Sequence, residues 1–539
     1  MYPYNSSKTE ANDSSSDESE FNEENEIKYV EESSESEPEL ECDIWDVDCK
    51  IVNNSKSDLI GRHLMPTCSR NPNESPKKRL KLSVEANKKF TRTEFISKFK
   101  DHWVKNTAIK TDGFELITEP FKVCVFSNFI ENGDVLNDVR QEFYELDWNN
   151  RNMDLYEFFQ SKDLKYLNSE HIKNVYNFLK NDALKLVSDL TGFELTHISA
   201  TCSLYSNTDY LLVHDDQRED RMVAFVLYLT GENGWSKEKG GALQLLDKDE
   251  NGQPRNTVKD IFPANNQLVI FPVTSDSYHQ VAEVTSLSDC RLSINGWFHT
   301  KIPPVFETPV YDASISAIFG DKYLKSREVD IDLQTWICED YLETKSVKLI
   351  QQHIEENSEI SLKHFLKQEP FNEVLKILKS SDVTWTKVGP PNRCNYEIIN
   401  LENLPHILER CLSLFQSTEI FNLLHKYTDL ELNKPNASVK FELQKWTPGS
   451  YTLLTDYNWQ SKNELDLIMY FGCKSPANVI GARTQYVTIE DEIQNALITL
   501  EPEENNLNIV YRDSARFTKY FSKQSKCQTF YKLICSYCE

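Results

Sequence analysis

The feature that most restricts the fold is a run of six short segments between residues 198 and 299: "ISATCSLYS", "YLLVHDD", "MVAFVLYLTG", "GALQLLD", "NQLVIFPV" and "RLSINGWFH". Each is rich in β-branched or aromatic residues and is bounded by Gly, Asn, Asp or Pro, the punctuation of closely spaced strands. Just upstream, Ile172, Val175, Tyr176, Leu179, Ala183, Leu186, Val187 and Leu190 recur at intervals of three and four. That spacing predicts one amphipathic helix over 171–190. Helices followed by a run of strands predict an α+β domain with a barrel or jelly-roll core.

The order then repeats. After the Pro-bearing "KIPPVFETPV" (301–310), helical patterns occupy about 345–367, 370–380 and 404–428, and strand patterns run from about 438 to the end. "TDYLLVHDD" (208–216) can be laid on "GSYTLLTDY" (449–457), "FVLYLTG" (225–231) on "LIMYFGC" (467–473), and "NNQLVIF" on "NNLNIVY" (505–511). The chain reads as two copies of one barrel, the second diverged. The expected organisation is a disordered acidic tail at 1–91, a first domain at 92–302, a linker at 303–340 and a second domain at 341–539.

The 539 residues carry a formal net charge of −26, and residues 1–50 alone hold 17 Asp or Glu against 3 Lys or Arg. Segments such as "SSSDESEFNEENE" bury too little apolar surface to offset ordering entropy, so the tail is expected to stay disordered. Its serines lie in acidophilic-kinase contexts, and Lys77, Lys78, Arg79 and Lys81 in "SPKKRLKL" resemble a nuclear-import signal. Phosphate repulsion argues against direct nucleic-acid binding and favours a basic protein partner. Thirteen irregularly spaced cysteines read as reduced thiols. Cys535 and Cys538 form a C-x-x-C pair, but no second pair accompanies it to complete a zinc site. No apolar run approaches the ~20 residues of a membrane span. The expectation is a soluble protein of nucleus and cytoplasm.

"LLVHDDQ" (211–217) places charge where a buried strand has little use for it. Strand side chains alternate with period two, which puts His214 and Asp216 on one face and Asp215 on the other. An imidazole and a carboxylate together form part of a metal site, and His279 in "PVTSDSYHQV" is the candidate third ligand. Two His and one carboxylate leave positions open on an octahedral metal, which suits non-haem Fe(II). Zinc is the alternative metal. Arg291 favours iron, because its guanidinium fork can anchor the far carboxylate of a chelating dicarboxylate co-substrate. Tyr228 can add a phenolic hydrogen bond to the same group.

The H-x-D…H…R arrangement resembles the Fe(II)- and 2-oxoglutarate-dependent oxygenases, which are built on a double-stranded β-helix. The segments "TDYLLVHDD", "VAFVLYL", "GGALQL", "SYHQVAEV", "RLSINGWFHT", "VGPPN" and "YTLLTDY" narrow the resemblance to the ribosomal prolyl hydroxylases, the family of the yeast termination-and-polyadenylation protein and its animal counterparts. It runs from about residue 95 to the C-terminus. It implies two double-stranded β-helix domains with packed helices, a catalytic first and a metal-free second. The implied iron ligands are His214, Asp216 and His279, with 2-oxoglutarate held by Tyr228 and Arg291, dioxygen as co-substrate and L-ascorbate keeping iron reduced. The implied reaction is C3 hydroxylation of a proline in small-subunit ribosomal protein 23, at the decoding centre, with consequences for translation accuracy or termination. In the second copy Thr455 stands where His214 does and Tyr457 where Asp216 does, and "RDSARFTKYF" offers no histidine. Structural support, a homodimer or partner contact, and substrate docking remain open as its role. Two other readings also remain open: an oxygenase with another protein substrate, and a non-enzymatic double-barrel scaffold.

Overall fold

Six of the six strand-like segments form antiparallel strands, Leu195–Tyr205, Tyr210–His214, Arg221–Tyr228, Leu243–Lys248, Gln267–Pro272 and Arg291–Thr300. The computed structural model describes residues 83–231, 234–306, 309, 311, 323–401, 403–454, 464–490 and 493–539. The acidic tail, its basic cluster and the pair Thr455 and Tyr457 therefore lie outside the described residues. All described residues fall within one unit, His63–Glu539.

In the N-terminal half, one face runs in the order Gln267–Pro272, Arg221–Tyr228, Arg291–Thr300, Leu195–Tyr205. It continues through Tyr156–Gln160 to Tyr210–His214, His279–Val281, Leu243–Lys248 and the exposed edge Pro254–Ile261. Ala224, Tyr228, Leu243, Leu245, Val269 and Phe271 pack together, so strands from the two ends of this path share one core. The expected helix over 171–190 exists, but with a π-helical turn at Leu179–Ala183 between α-helical segments. That wider turn keeps Leu179 and Ala183 in the core.

The C-terminal half repeats the four-strand order with Leu507–Arg512, Glu464–Phe471, Phe530–Cys538 and Ser438–Trp446. The repeat reaches single residues. Asn266 and Asn505 both adopt left-handed backbone, with φ of 57° and 59°. Each side chain brackets one backbone position: Asn266 accepts from Ile130 N at 2.9 Å and donates to its carbonyl at 2.9 Å, and Asn505 does the same to Leu366 at 3.0 and 2.8 Å. The backbone N–H of each also donates to a tyrosine carbonyl, of Tyr228 and of Tyr470. These are the tyrosines that the sequence alignment superposes.

Four boundaries differ from expectation. Folded chain begins before 92, since Phe90 is buried against Phe126 and Phe129. Part of the expected linker belongs to the second core: Leu324–Lys325 pairs with Val439 and Ser438, and Trp336 and Ile337 are buried there. Neither short piece is long enough to carry a period. The helix expected over 345–367 ends at Asn357, where Ser358 takes a left-handed cap, and Glu359–Leu362 is a strand. The 404–428 pattern is two helices divided at Ser417, whose hydroxyl accepts from Ile420 N at 3.1 Å and caps the second.

Candidate metal and dicarboxylate site

His214 is the last residue of its strand and lies directly opposite His279 in the antiparallel pair Tyr210–His214 with His279–Val281. Asp216 is not on that strand. It reaches the histidines from a turn in which its own φ is 64°. Strand alternation therefore is not the reason the two ligand candidates meet, and the expectation is corrected on that point. The turn is built by Asp215, whose carboxylate accepts from Gln217 N at 3.1 Å and Gln217 Nε2 at 2.9 Å, while Ser277 Oγ donates to its carbonyl at 3.0 Å. An Asx-type turn tolerates left-handed backbone at the following residue and swings Asp216 inward.

The three side chains converge. His214 Nε2 lies 3.6 Å from Asp216 Oδ1, and His279 Nε2 lies 3.4 Å from Asp216 Oδ2. Both imidazoles use Nδ1 on a backbone carbonyl, His214 on Leu212 at 2.8 Å and His279 on Ser277 at 2.7 Å. A ring that donates from Nδ1 presents the Nε2 lone pair, so both rings are fixed in the tautomer a metal requires. Burial, reinforced by the neighbouring His279, pushes the His214 imidazole down to about 4, which keeps it neutral. Burial pushes the Asp216 carboxyl up, but His279, His214 and Arg221 outweigh it and hold the group below its ordinary value. This donor set fits a divalent metal with further coordination positions free.

Arg291 opens the strand that follows His279–Val281 in the chain and is 2% exposed. Its Nε donates to Gly241 O at 2.9 Å and its Nη2 to Tyr228 OH at 3.3 Å. The guanidinium carbon sits 4.8 Å from the Tyr205 ring centroid and 5.0 Å from that of Tyr228. Among the described residues no carboxylate forms an ion pair with it. A buried cation held only by neutral groups fits an anionic ligand group, here a carboxylate. Burial raises the Tyr228 hydroxyl above its usual value, against the pull of Arg291, so it remains a proton donor.

Sequence reasoning thus named five residues that the fold brings to one region, His214, Asp216, His279, Tyr228 and Arg291. It missed Asp215 as the turn former and Gly241 as the arginine's acceptor. It also missed Arg221, which sits 3.9 Å from Asp216 Oδ1 and 3.5 Å over the Trp297 ring. The signal for Arg221 was a charge opening an otherwise apolar strand. A second convergence, His197, Asp220 and His299, lies across neighbouring strands. There His299 Nδ1 is 2.7 Å from Asp220 and Nε2 is 2.7 Å from Ser199 Oγ, so both nitrogens are engaged in a clamp at the far end of the Asp216 loop. Among the described residues these two groups, both in the N-terminal half, are the ones able to hold a metal.

Comparison with known proteins gives the relatives of this chain. Residues 200–299 match the 2OG-Fe(II) oxygenase superfamily, and residues 328–538 match the oxoglutarate and iron-dependent oxygenase degradation C-terminal family. Prolyl 3-hydroxylase sudestada1 of Drosophila melanogaster is 35% identical over 79% of this chain and 85% of its own length. Prolyl 3-hydroxylase OGFOD1 of Mus musculus is 34% identical over 84% of this chain and 94% of its own. A solved prolyl-4-hydroxylase from Pseudomonas putida overlaps 33% of this chain and 92% of that one at 20% identity, with a TM-score of 0.28. With an oxygenase-superfamily match over residues 200–299 and 34–35% identity to these relatives over 79–84% of its length, the chain belongs to the Fe(II)- and 2-oxoglutarate-dependent oxygenases of the prolyl 3-hydroxylase family.

Proposed function

We propose that this protein hydroxylates a peptidyl proline at ring C3, with the N-terminal half as a catalytic double-stranded β-helix and the C-terminal half as its metal-free copy. The observation that carries the reading is the pairing of one open donor set, His214, Asp216 and His279, with one buried cation, Arg291, that has no carboxylate partner among the described residues. The residues fit Fe(II) at the first and the far carboxylate of 2-oxoglutarate at the second. When bound, iron with 2-oxoglutarate and dioxygen supplies the oxidising equivalent that removes hydrogen from an unactivated C–H bond.

The chain's own residues do the rest. His214 and His279 stay oriented through their Nδ1 bonds to Leu212 and Ser277. Arg291 and Tyr228 would hold the far carboxylate of the co-substrate. The apolar wall of Phe271 against His279, with ring centroids 4.7 Å apart, excludes water from one side of the cluster. L-ascorbate would serve to keep the iron reduced.

The substrate we infer is small-subunit ribosomal protein 23, in nucleus and cytoplasm. The chain's charge of −26 favours a basic protein partner. Succinate release from 2-oxoglutarate tests the reading: wild type is expected to release it when given Fe(II), ascorbate and a proline peptide of that protein, and Asp216→Ala is not. Equal release by both would overturn it.

A further inference from the structure

The two halves meet on the strands that carry the site. Tyr520 packs at a tilt against Tyr210, at the start of the His214 strand, with ring centroids 4.6 Å apart. Glu283, four residues beyond His279, is 3% exposed and points its carboxylate at the C-terminal half. Its Oε2 accepts from Lys523 N at 2.8 Å and Tyr520 OH at 3.4 Å, and its Oε1 accepts from Ser522 Oγ. A buried carboxylate satisfied by three donors of another half is an anchor, since removing any of them strands desolvated polar groups.

The backbone of the same residue is tied toward the dicarboxylate end of the site. Glu283 O accepts from Gly241 N at 3.1 Å, and Gly241 O accepts from Arg291 Nε at 2.9 Å. The approach at Gly240 is so close that a Cβ there would stand 2.1 Å from Glu283 O, and its φ is +69°. On the opposite side Val284 N donates to Asp209 O at 3.0 Å and Thr208 N to Val284 O at 2.8 Å, immediately before the His214 strand.

We propose that Glu283 is a positioning residue for the co-substrate: the 520–523 segment of the C-terminal half grips its carboxylate, and its carbonyl sets Gly241 and through it the Arg291 fork. The C-terminal half is then a working part of the dicarboxylate site and not only a neighbour. The inference rests on the reading of Arg291 given above. A guanidinium pairs with a carboxylate bidentately only within a narrow range of angles, so a small shift of its Nε acceptor weakens that pair more than it disturbs the fold.

The test is titration of 2-oxoglutarate into the Mn2+-loaded full chain by calorimetry, with turnover and thermal unfolding measured alongside. Glu283→Ala is expected to weaken 2-oxoglutarate about tenfold, the cost of losing a supporting contact behind a ligand. Turnover at saturating 2-oxoglutarate is expected to stay within about threefold, the signature of lost ground-state binding. Ser522→Ala, which leaves Glu283 two donors, is expected to move affinity in the same direction by less, and it carries the test if Glu283→Ala does not fold. Gln494→Ala is the control: it removes a contact between the halves, to Asp154 at 2.7 Å, that touches neither Gly241 nor the 279–284 segment. Unchanged affinity in folded Glu283→Ala and Ser522→Ala, or an equal loss in Gln494→Ala, would overturn the proposal. Failure of wild type to take up 2-oxoglutarate would instead overturn the reading of Arg291 itself.

Discussion

At the residue scale the site depends on groups whose second valence is already used. His214 and His279 spend Nδ1 on carbonyls, and Arg291 spends Nε on Gly241. What each has left points inward. Replacing Arg291 by Gln removes a charge-assisted pair worth roughly 1.5–3 kcal/mol. The 2-oxoglutarate KM is therefore expected to rise by about one to two orders of magnitude, read by succinate release over a co-substrate series. Asn266 offers a stability test away from the chemistry. Asn266→Ala leaves the Ile130 N–H and carbonyl without partners and puts Ala at φ 57°. It is expected to cost about 2–4 kcal/mol in denaturant unfolding. The five candidate site residues could be named from sequence because ligand atoms are a property of residue type. Asn266 and Asn505 were quoted only within matching strings that lay Asn265 on Asn505, one residue out of the structural register, since a side chain bracketing a distant backbone leaves no local trace.

At the element scale, the strands were legible from their composition and the turns between them were not. The Tyr210–His214 strand stops two residues earlier than alternation implies, and Asp215 closes the turn that delivers Asp216. Asp215→Ala removes both bonds to Gln217, so metal affinity is expected to fall about tenfold with the fold intact, as read by Mn2+ titration with circular dichroism alongside. The π turn at Leu179–Ala183 was likewise invisible, because apolar spacings of three and four mask one wide turn. Trp336 and Ile337 were assigned to a linker for want of any period, yet they lie in the second core. Long periodic elements announce themselves; short ones are defined by what they pack against.

At the scale of the whole molecule, the second half keeps the strand order of the first and fills its interior with a different network. Asp466 is fully buried and accepts from Tyr486 OH at 2.8 Å and Ser536 Oγ at 2.5 Å, with Arg516 bonded to it and Arg512 at 3.9 Å. Burial pushes this carboxyl up, but Arg516 and Arg512 outweigh it and hold it below 3.8. A depressed folded value means that the stabilisation is present above the unfolded value and is lost as pH falls through the folded one. Asp466→Asn is expected to cost about 3–5 kcal/mol at neutral pH, the cost of unpairing a buried arginine. The difference from wild type should shrink as pH drops below 3.8. Chemical denaturation at a series of pH values checks both.

The central claim, that His214, Asp216, His279 and Arg291 form one proline-oxidising centre, is tested most directly by mass spectrometry of a proline peptide from small-subunit ribosomal protein 23. The peptide would be incubated with the full chain, Fe(II), ascorbate and 2-oxoglutarate, with Asp216→Ala in parallel. The account expects one added oxygen on the proline ring with wild type and none with the variant. An unmodified peptide with wild type, or an equal yield from both proteins, would contradict it.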